Sequence, residues 1–290
     1  MLGQDLVARV RAEGHEAVAV DRDELDITDG AAVLAGVAGF DVVANCAAWT
    51  AVDDAETREG DAFTVNAVGP QSLARAAAAH GARLVHVSTD YVFDGHADEP
   101  YAEDGFAAPR SAYGRTKLAG EWAVRAEAAD HLILRTAWLY GAGGGCFPKT
   151  IARVAAERGA LDVVEDQVGQ PTWTRDVADL AVRLVVAQAP SGTYHATSSG
   201  RTSWYGFARE VVAAAGLDPQ IVSPTTSEGF VRRPAPGVLG ARARRAAGRR
   251  GRADRRLGAA LGRRGGGGPG GPLTRLRNRG GRGRRRGVAR

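Results

Sequence analysis

Cysteine is nearly absent from this chain. Cys46 and Cys146 are its two examples in 290 residues, too few for a disulfide framework and suited to a reducing compartment. No apolar run approaches the roughly 20 residues that span a bilayer, and the start lacks a basic-then-apolar leader pattern. The six histidines show no ligand spacing, so no metal site is expected. These absences argue against collagen-like, membrane-spanning and disulfide-rich secreted classes. The 44% apolar and 24% charged residues are ordinary for a globular protein, and the expected location is cytoplasmic.

The formal charge of +5 averages two unlike segments. Residues 232–290 hold 20 Arg, no Lys and the single acid Asp254, whereas residues 1–231 carry a net charge of −14. The body is acidic, and the basic balance belongs to the tail. From about Pro236 the tail is Arg, Gly and Ala without a sustained period, a composition that cannot bury enough surface to fold alone. An Arg/Gly arm for nucleic acid is one reading, but the tail has no aromatic residue for base stacking. A natural disordered tail is another. The reading favoured is a shifted frame in a GC-rich gene, since GC-rich codons give these residues in any frame.

The body alternates β-branched runs with Ala-rich helical stretches. Strands are predicted at Glu16–Val20, Asp41–Ala47, Arg83–Ser88, Leu132–Thr136, Leu161–Val164 and Thr193–Ala196. Several are near-continuous apolar runs, as parallel strands buried on both faces require. Helices are predicted at Leu6–Glu13, Ala31–Val37, Gln71–His80, Tyr113–Ala128, Pro148–Arg158, Arg175–Ala187 and Trp204–Ala215, the last between a Ser203 cap and a Gly216 stop. The expected fold is α/β: a Rossmann-like parallel sheet with helices on both faces, a smaller substrate-binding region and a disordered tail. In domain terms, residues 1–231 form the body and 232–290 the tail. Within the body, 1–141 is mainly dinucleotide-binding and 142–231 is mainly substrate region with a returning strand.

The strongest chemical signal is Tyr113-Gly-Arg-Thr-Lys117. With two lysines in the chain, this spacing arises by chance in about 4% of such compositions. On a helix the two side chains share a face, and the ammonium is expected to lower the phenol toward neutrality, so that Tyr113 exchanges a proton near pH 7. The run Arg83–Asp90 reads as a buried strand ending in Ser88, Thr89 and Asp90. In open parallel sheets ligands bind beyond that end of a strand, where Ser88 or Thr89 would meet a carbonyl oxygen. A Ser/Thr, a Tyr and a Lys in this order are the proton-transfer set of short-chain dehydrogenase/reductases. After the Asp41 strand, small residues at Ala47 and Ala48, with Thr50 beyond, let an adenine–ribose unit approach the backbone. Asp21 is placed for a ribose diol and its neighbour Arg22 for a 2′-phosphate, so NADH and NADPH both stay open. Asp26 and Ile27 are candidates to border the adenine, with a solvated loop carboxylate an equal reading of Asp26. Cys46 reads as core filler; Asp53, Asp54 and Glu56 read as an acidic helix start.

The segments Ser88-Thr-Asp-Tyr-Val-Phe-Asp-Gly95, Tyr113–Glu121, Arg135-Thr-Ala-Trp-Leu-Tyr140 and Asp166-Gln-Val-Gly-Gln-Pro-Thr172 together resemble the dTDP-4-dehydrorhamnose reductase family, from Met1 to about Pro236. The resemblance implies reduction of the C4 ketone of dTDP-4-dehydro-L-rhamnose with NADPH or NADH. It makes Tyr113 the proton donor, supported by Lys117, which also holds the nicotinamide ribose. It makes Thr89 the group polarising the carbonyl, puts Asp90 on the sugar nucleotide and Trp138 in the hexose pocket, and lays Ala48 and Thr50 along the cofactor. Alternatives are a 4-ketoreductase of another dTDP-4-keto-deoxysugar and a silent regulatory subunit; a homodimer stays open as partner. The family opens with a strand and a Gly-rich turn that holds pyrophosphate. Only Met1-Leu2-Gly3-Gln4 matches its end, so Gly3 and Gln4 are the remaining phosphate candidates. The expectation is a chain lacking a central strand, which folds poorly or binds cofactor very weakly.

Overall fold

The computed structural model describes residues 1–97, 99–228 and, for the backbone alone, 273–277. The remainder of the tail, and with it the expectation of disorder and the nucleic-acid reading, lies outside the described residues.

Helix α1 (Leu2–Ala12) leads into β1 (Glu16–Val20), α2 (Gly30–Val37) and β2 (Val42–Asn45). Then come α3 (Gly69–His80), β3 (Arg83–Thr89), α4 (Ala112–Glu127) and β4 (His131–Thr136). The chain continues through α5 (Phe147–Arg158), β5 (Leu161–Val164), α6 (Thr174–Val186), β6 (Gly192–His195), α7 (Trp204–Ala214) and β7 (Val222–Thr225). The predicted elements are present to within a few residues at their ends. Ser203 caps α7 by accepting from the Gly206 amide, and Gly216, at φ +75°, follows its end.

β2, β3, β4 and β6 pair in parallel, and β2 and β4 are almost wholly buried. Helices α1 and α6 cover one face, with Leu6, Val10, Val177 and Val182 against Val85 and Leu132. The other face carries α2, α3 and α4, with Val33, Leu73 and Val124 against Val43 and Ile133. This is the expected two-faced α/β sandwich.

The expected parallel sheet is present in β2, β3, β4 and β6, and one further strand joins it. A strand β8 (Leu273–Arg277) lies between β1 and β2 and runs antiparallel to both. Without it β1 and β2 would each present an unpaired edge of backbone donors and acceptors inside the sheet, a costly arrangement. The predicted strand at Leu161–Val164 forms, but it pairs in parallel with β7 in a separate two-stranded sheet. That sheet, α5 and α7 enclose a second core of Ile151, Ala155, Val163, Ala208 and Val212. Of this region, β6 is the expected returning strand and pairs with β4 in the main sheet.

Candidate active site

β3 ends at Thr89, where the chain turns into a short 3-10 segment, Asp90–Val92. α4 starts beside it: Ser111 caps the helix by accepting from the Gly114 amide at 3.0 Å. Gly114 is required here, because a Cβ at that position would collide with the Tyr91 carbonyl. The close approach brings the first turn of α4 onto the end of β3, so that the Thr89 hydroxyl acts on the Tyr113 phenol and opposes the effect of burial, while Thr89 Oγ1 donates to Asp90 Oδ1 at 3.1 Å. Tyr91 meets the Tyr113 ring edge-on at 5.4 Å.

Lys117, one turn along α4, is 2% exposed and donates to the Val87 carbonyl at 2.7 Å. Burial pulls its ammonium down to about 8, against the carboxylate of Glu121 and the thiol of Cys46, which hold it up. The expected effect of this ammonium on the phenol is not what the structure shows. Burial holds Tyr113 well above its ordinary value, the Thr89 hydroxyl opposes that, and Asp90 and Tyr91 add to it. Lys117 points its charge into a strand carbonyl, and desolvation dominates the phenol. Tyr113 is therefore a neutral acid at pH 7.

Under this pair lies a polar layer that sequence reasoning missed. Glu121, fully buried, receives Ser88 Oγ at 2.6 Å, Arg135 Nε at 2.9 Å and Arg125 Nη2 at 2.9 Å. The Arg135 guanidinium lies over the Phe93 ring and also donates to the Glu103 carbonyl. Burial works against the Glu121 charge, but these donors hold the carboxyl below its usual range. The signal was available: Tyr113, Lys117, Glu121 and Arg125 recur every four residues, on one helix face.

Asn66 was missed as well. Its Oδ1 accepts from the Trp49 amide at 2.8 Å, and its Nδ2 donates to the Trp49 carbonyl and to Thr116 Oγ1. It lies in a π-helical turn, Thr64–Val68, and its backbone packs so closely on Gly120 that a Cβ there would strike its carbonyl. Asn66 thus ties the loop after β2 to α4. An asparagine inside a helix-forming run, where its side chain competes with the backbone, was the available cue.

That loop holds Ala47, Ala48 and Thr50. Asn45 Oδ1 accepts from the Ala47 amide at 2.9 Å, and Asn45 Nδ2 pairs with His86 Nδ1 at 3.1 Å. The buried imidazole is held well below its usual value by burial and by Lys117. It is neutral, so Nδ1 accepts and Nε2 carries the proton. Cys46 packs on the sheet core, and burial pushes its thiol up to about 12. Val52–Ala55 forms the acidic helix start expected of Asp53 and Asp54.

The remaining candidates lie apart from the Tyr113 pair. Asp21 follows β1 and accepts from the Asp23 amide. Arg22 pairs with Asp26 at 3.4 Å, and Asp26 also accepts from the Thr28 amide and hydroxyl. Ile27 is buried and packs against Gly69. Gly3 is buried in the first turn of α1, and the Gln4 side chain packs on Gly143. Trp138, at φ +46°, stacks on Trp204 at 3.5 Å and packs on Gly169, in the smaller region.

Comparison with known proteins places this arrangement among nucleotide-sugar reductases. The model of the RmlD substrate binding domain matches residues 1–254. A dTDP-4-dehydrorhamnose reductase of Streptomyces griseus is 48% identical over 80% of this chain and 79% of its own. A probable dTDP-4,6-dihydroxy-2-methyloxan-3-one 4-ketoreductase of Streptomyces antibioticus is 48% identical over 81% of each. A dTDP-4-dehydrorhamnose reductase from Bacillus anthracis, solved in complex with NADP, superposes with a TM-score of 0.74 at 36% identity, covering 78% of this chain and 80% of that one.

Proposed function

The chain belongs to the RmlD substrate binding domain family, and from that premise we propose that it reduces the C4 ketone of dTDP-4-dehydro-L-rhamnose to dTDP-L-rhamnose with NADPH or NADH. The observation that carries the reading is the buried Tyr113 phenol set beside Thr89 at the carboxyl end of β3, with the buried Lys117 ammonium one turn away.

Reduction of a ketone needs a hydride at carbon and a proton at oxygen. A phenol held above its ordinary value is protonated at pH 7, the state a proton donor needs. In this reading Thr89 polarises the carbonyl while Tyr113 Oη delivers the proton, and Asp90 and Trp138 contact the sugar nucleotide.

The residues present fit a dinucleotide at the reacting end. Among the described residues Lys117 uses one of its three N–H donors, on Val87, which leaves two for a ribose diol. Ala47 and Ala48 offer close access to the backbone beyond β2. Asp21, Arg22, Asp26 and Ile27 would border the adenosine half, and Gly3 and Gln4 the pyrophosphate. When bound, the reduced nicotinamide supplies the hydride.

A second substrate has its own support, because the relative named as a different 4-ketoreductase is as similar as the one named for dehydrorhamnose. Turnover of the two dTDP-4-keto sugars side by side separates them. We place the protein in the cytoplasm. Both cysteines are free thiols, and among the described residues no helix is long and apolar enough to cross a membrane. A second copy of the chain is the protein partner this reading carries, and it gives nucleic acid no role.

The test is Tyr113→Phe. Cofactor oxidation in the presence of dTDP-4-dehydro-L-rhamnose should fall by about 10²–10⁴-fold, with the circular dichroism spectrum unchanged. Equal turnover by wild type and variant, or a wild type that turns over neither keto sugar, overturns the reading.

A further inference from the structure

Trp138 is held in a backbone conformation that it would not adopt alone. Its φ is +46°, and for a bulky side chain the left-handed region is an outlier that persists only where the surroundings over-determine it. Three contacts do so. The Trp138 carbonyl accepts from the Thr172 amide at 3.2 Å. Trp204, the first residue of α7, lies flat on the indole, with ring centroids 3.5 Å apart and planes 11° from parallel. Gly169 meets the indole edge, where a Cβ would strike Cε2, Cζ2 and Nε1. The φ of Gly169 is not positive, so this glycine is needed for the space that the indole takes.

The two ring contacts come from one unit, and it is not the strand that carries Trp138. Val168 and Gly169 pair antiparallel with Ser203 and Thr202, which ties the glycine to the start of α7. Trp204 also packs on Phe147 at 4.5 Å and belongs to the second core. Trp138 itself follows β4. It lies two residues past Thr136, which is in register with Thr89 on β3, so it stands at the same end of the sheet as Thr89 and Tyr113. Trp138 is half-buried, and its indole keeps surface that a ligand can reach.

On the footing of the reductase reading, which puts Trp138 against the sugar, we infer that Trp204 and Gly169 are positioning residues: they fix the Trp138 indole as the wall that sets the orientation of the keto sugar toward Tyr113. A flat aromatic face receives the C–H face of a pyranose, and turning that wall turns the C4 ketone with it. Such an error slows the reaction more than it weakens binding, since a misplacement of about 1 Å can cost about 10²-fold. The assignment also gives the strained backbone a purpose. The smaller region, and not β4 alone, decides where the indole stands.

The experiment is a double-mutant cycle on kcat, with the melting transition recorded for each protein. Trp204→Leu and Gly169→Ala should each lower kcat for dTDP-4-dehydro-L-rhamnose about 10-fold or more, with KM changed less. In a Trp138→Ala background either change should cost little further, because a residue that acts through Trp138 then has nothing to position. Equal losses with and without Trp138 overturn the inference. Trp204→Phe keeps a flat ring face and should recover most of the activity. The stack has its own signature, read without substrate. Two indoles this close give an exciton couplet in the circular dichroism spectrum, which Trp204→Phe should abolish and Gly169→Ala weaken although both indoles are present. A wild type without the couplet overturns the inference, even should the leucine variant fail to fold. A wild type that shows the couplet but turns over neither keto sugar overturns the reductase reading instead, so the two failures are distinct.

Discussion

Around β3 and β4 the sheet is parallel, its crossovers are helices, and the polar side chains at the strand ends are interlocked. Around β1 and β2 the same sheet is completed by β8, an antiparallel strand from well over two hundred residues further along the chain. The first region joins neighbours in sequence through α3 and α4, so each local pattern also fixes its partner. The second depends on a pairing of very high sequence separation, with a large loop to close. The active-site candidates divide along this line: Thr89, Tyr113 and Lys117 belong to the first region, Gly3, Gln4, Asp21 and Arg22 to the second.

The largest expected effect breaks the interlocked region. Glu121→Ala strands the Arg135 guanidinium, with side-chain exposure of 4%, without its counterion, and removing one partner of a buried pair costs about 3–5 kcal/mol. The melting temperature should drop by roughly 10 °C. Glu59→Ala is the control. It removes the equally well-formed pair with Arg115, but both of those side chains are nearly half exposed, and the cost should stay below about 1 kcal/mol. Equal losses from the two variants would mean that burial is not what makes the Glu121 layer matter. The pH dependence has a definite sign. Glu121 is held below its unfolded value, so its contribution is complete above about pH 4.3 and is lost as the pH falls through the lowered value.

The next variant sharpens the contrast from the other side. Arg275→Pro removes a backbone N–H from β8, whose residue 275 is in register with Val18 and Val43. A proline inside a strand removes a ladder donor and should cost about 1–3 kcal/mol locally. Hydrogen exchange should then quicken for amides of β1 and β2, while those of β4, which pairs with β3 and β6, keep their protection. Unchanged protection at Val18 would show that β8 does not complete the sheet.

The same division explains what could be read from the residues. Continuous apolar runs such as Leu132–Thr136 announce buried parallel strands, and the Tyr113–Lys117 spacing follows from helix geometry alone. Asn66 and Glu121 carried weaker marks, because a polar residue becomes conspicuous only once its surroundings are known to be buried. Leu273–Arg277 carried none. Its Arg-rich composition predicts solvent exposure, and the reason for its pairing lies in the open edges of two distant strands. The acidity of Tyr113 was misjudged for a related reason. Spacing places an ammonium nearby, but burial and the Val87 carbonyl decide what that ammonium does.

Lys117 gives the most specific effect, one whose sign changes with pH. Burial lowers its ammonium from an ordinary value near 10.5 to about 8. Between those values the unfolded chain binds more protons than the folded one, so this group adds stability as the pH rises from about 8 to about 10.5. Below pH 8 both states are protonated, and the folded protein carries the full cost of a buried charge. Lys117→Met should therefore melt at the same temperature as wild type or higher at pH 7, by up to about 3 kcal/mol, and lose that advantage toward pH 10. Turnover should be lost at both. A direct reading is available because the chain has two lysines: Lys149→Arg leaves one lysine signal, whose NMR midpoint should fall near 8. Glu121 holds the Lys117 ammonium up, so Glu121→Gln in that background should move the midpoint lower still. A midpoint at the ordinary lysine value would mean that Lys117 is solvated, and the donors assigned to a ribose diol would then already be spent on water.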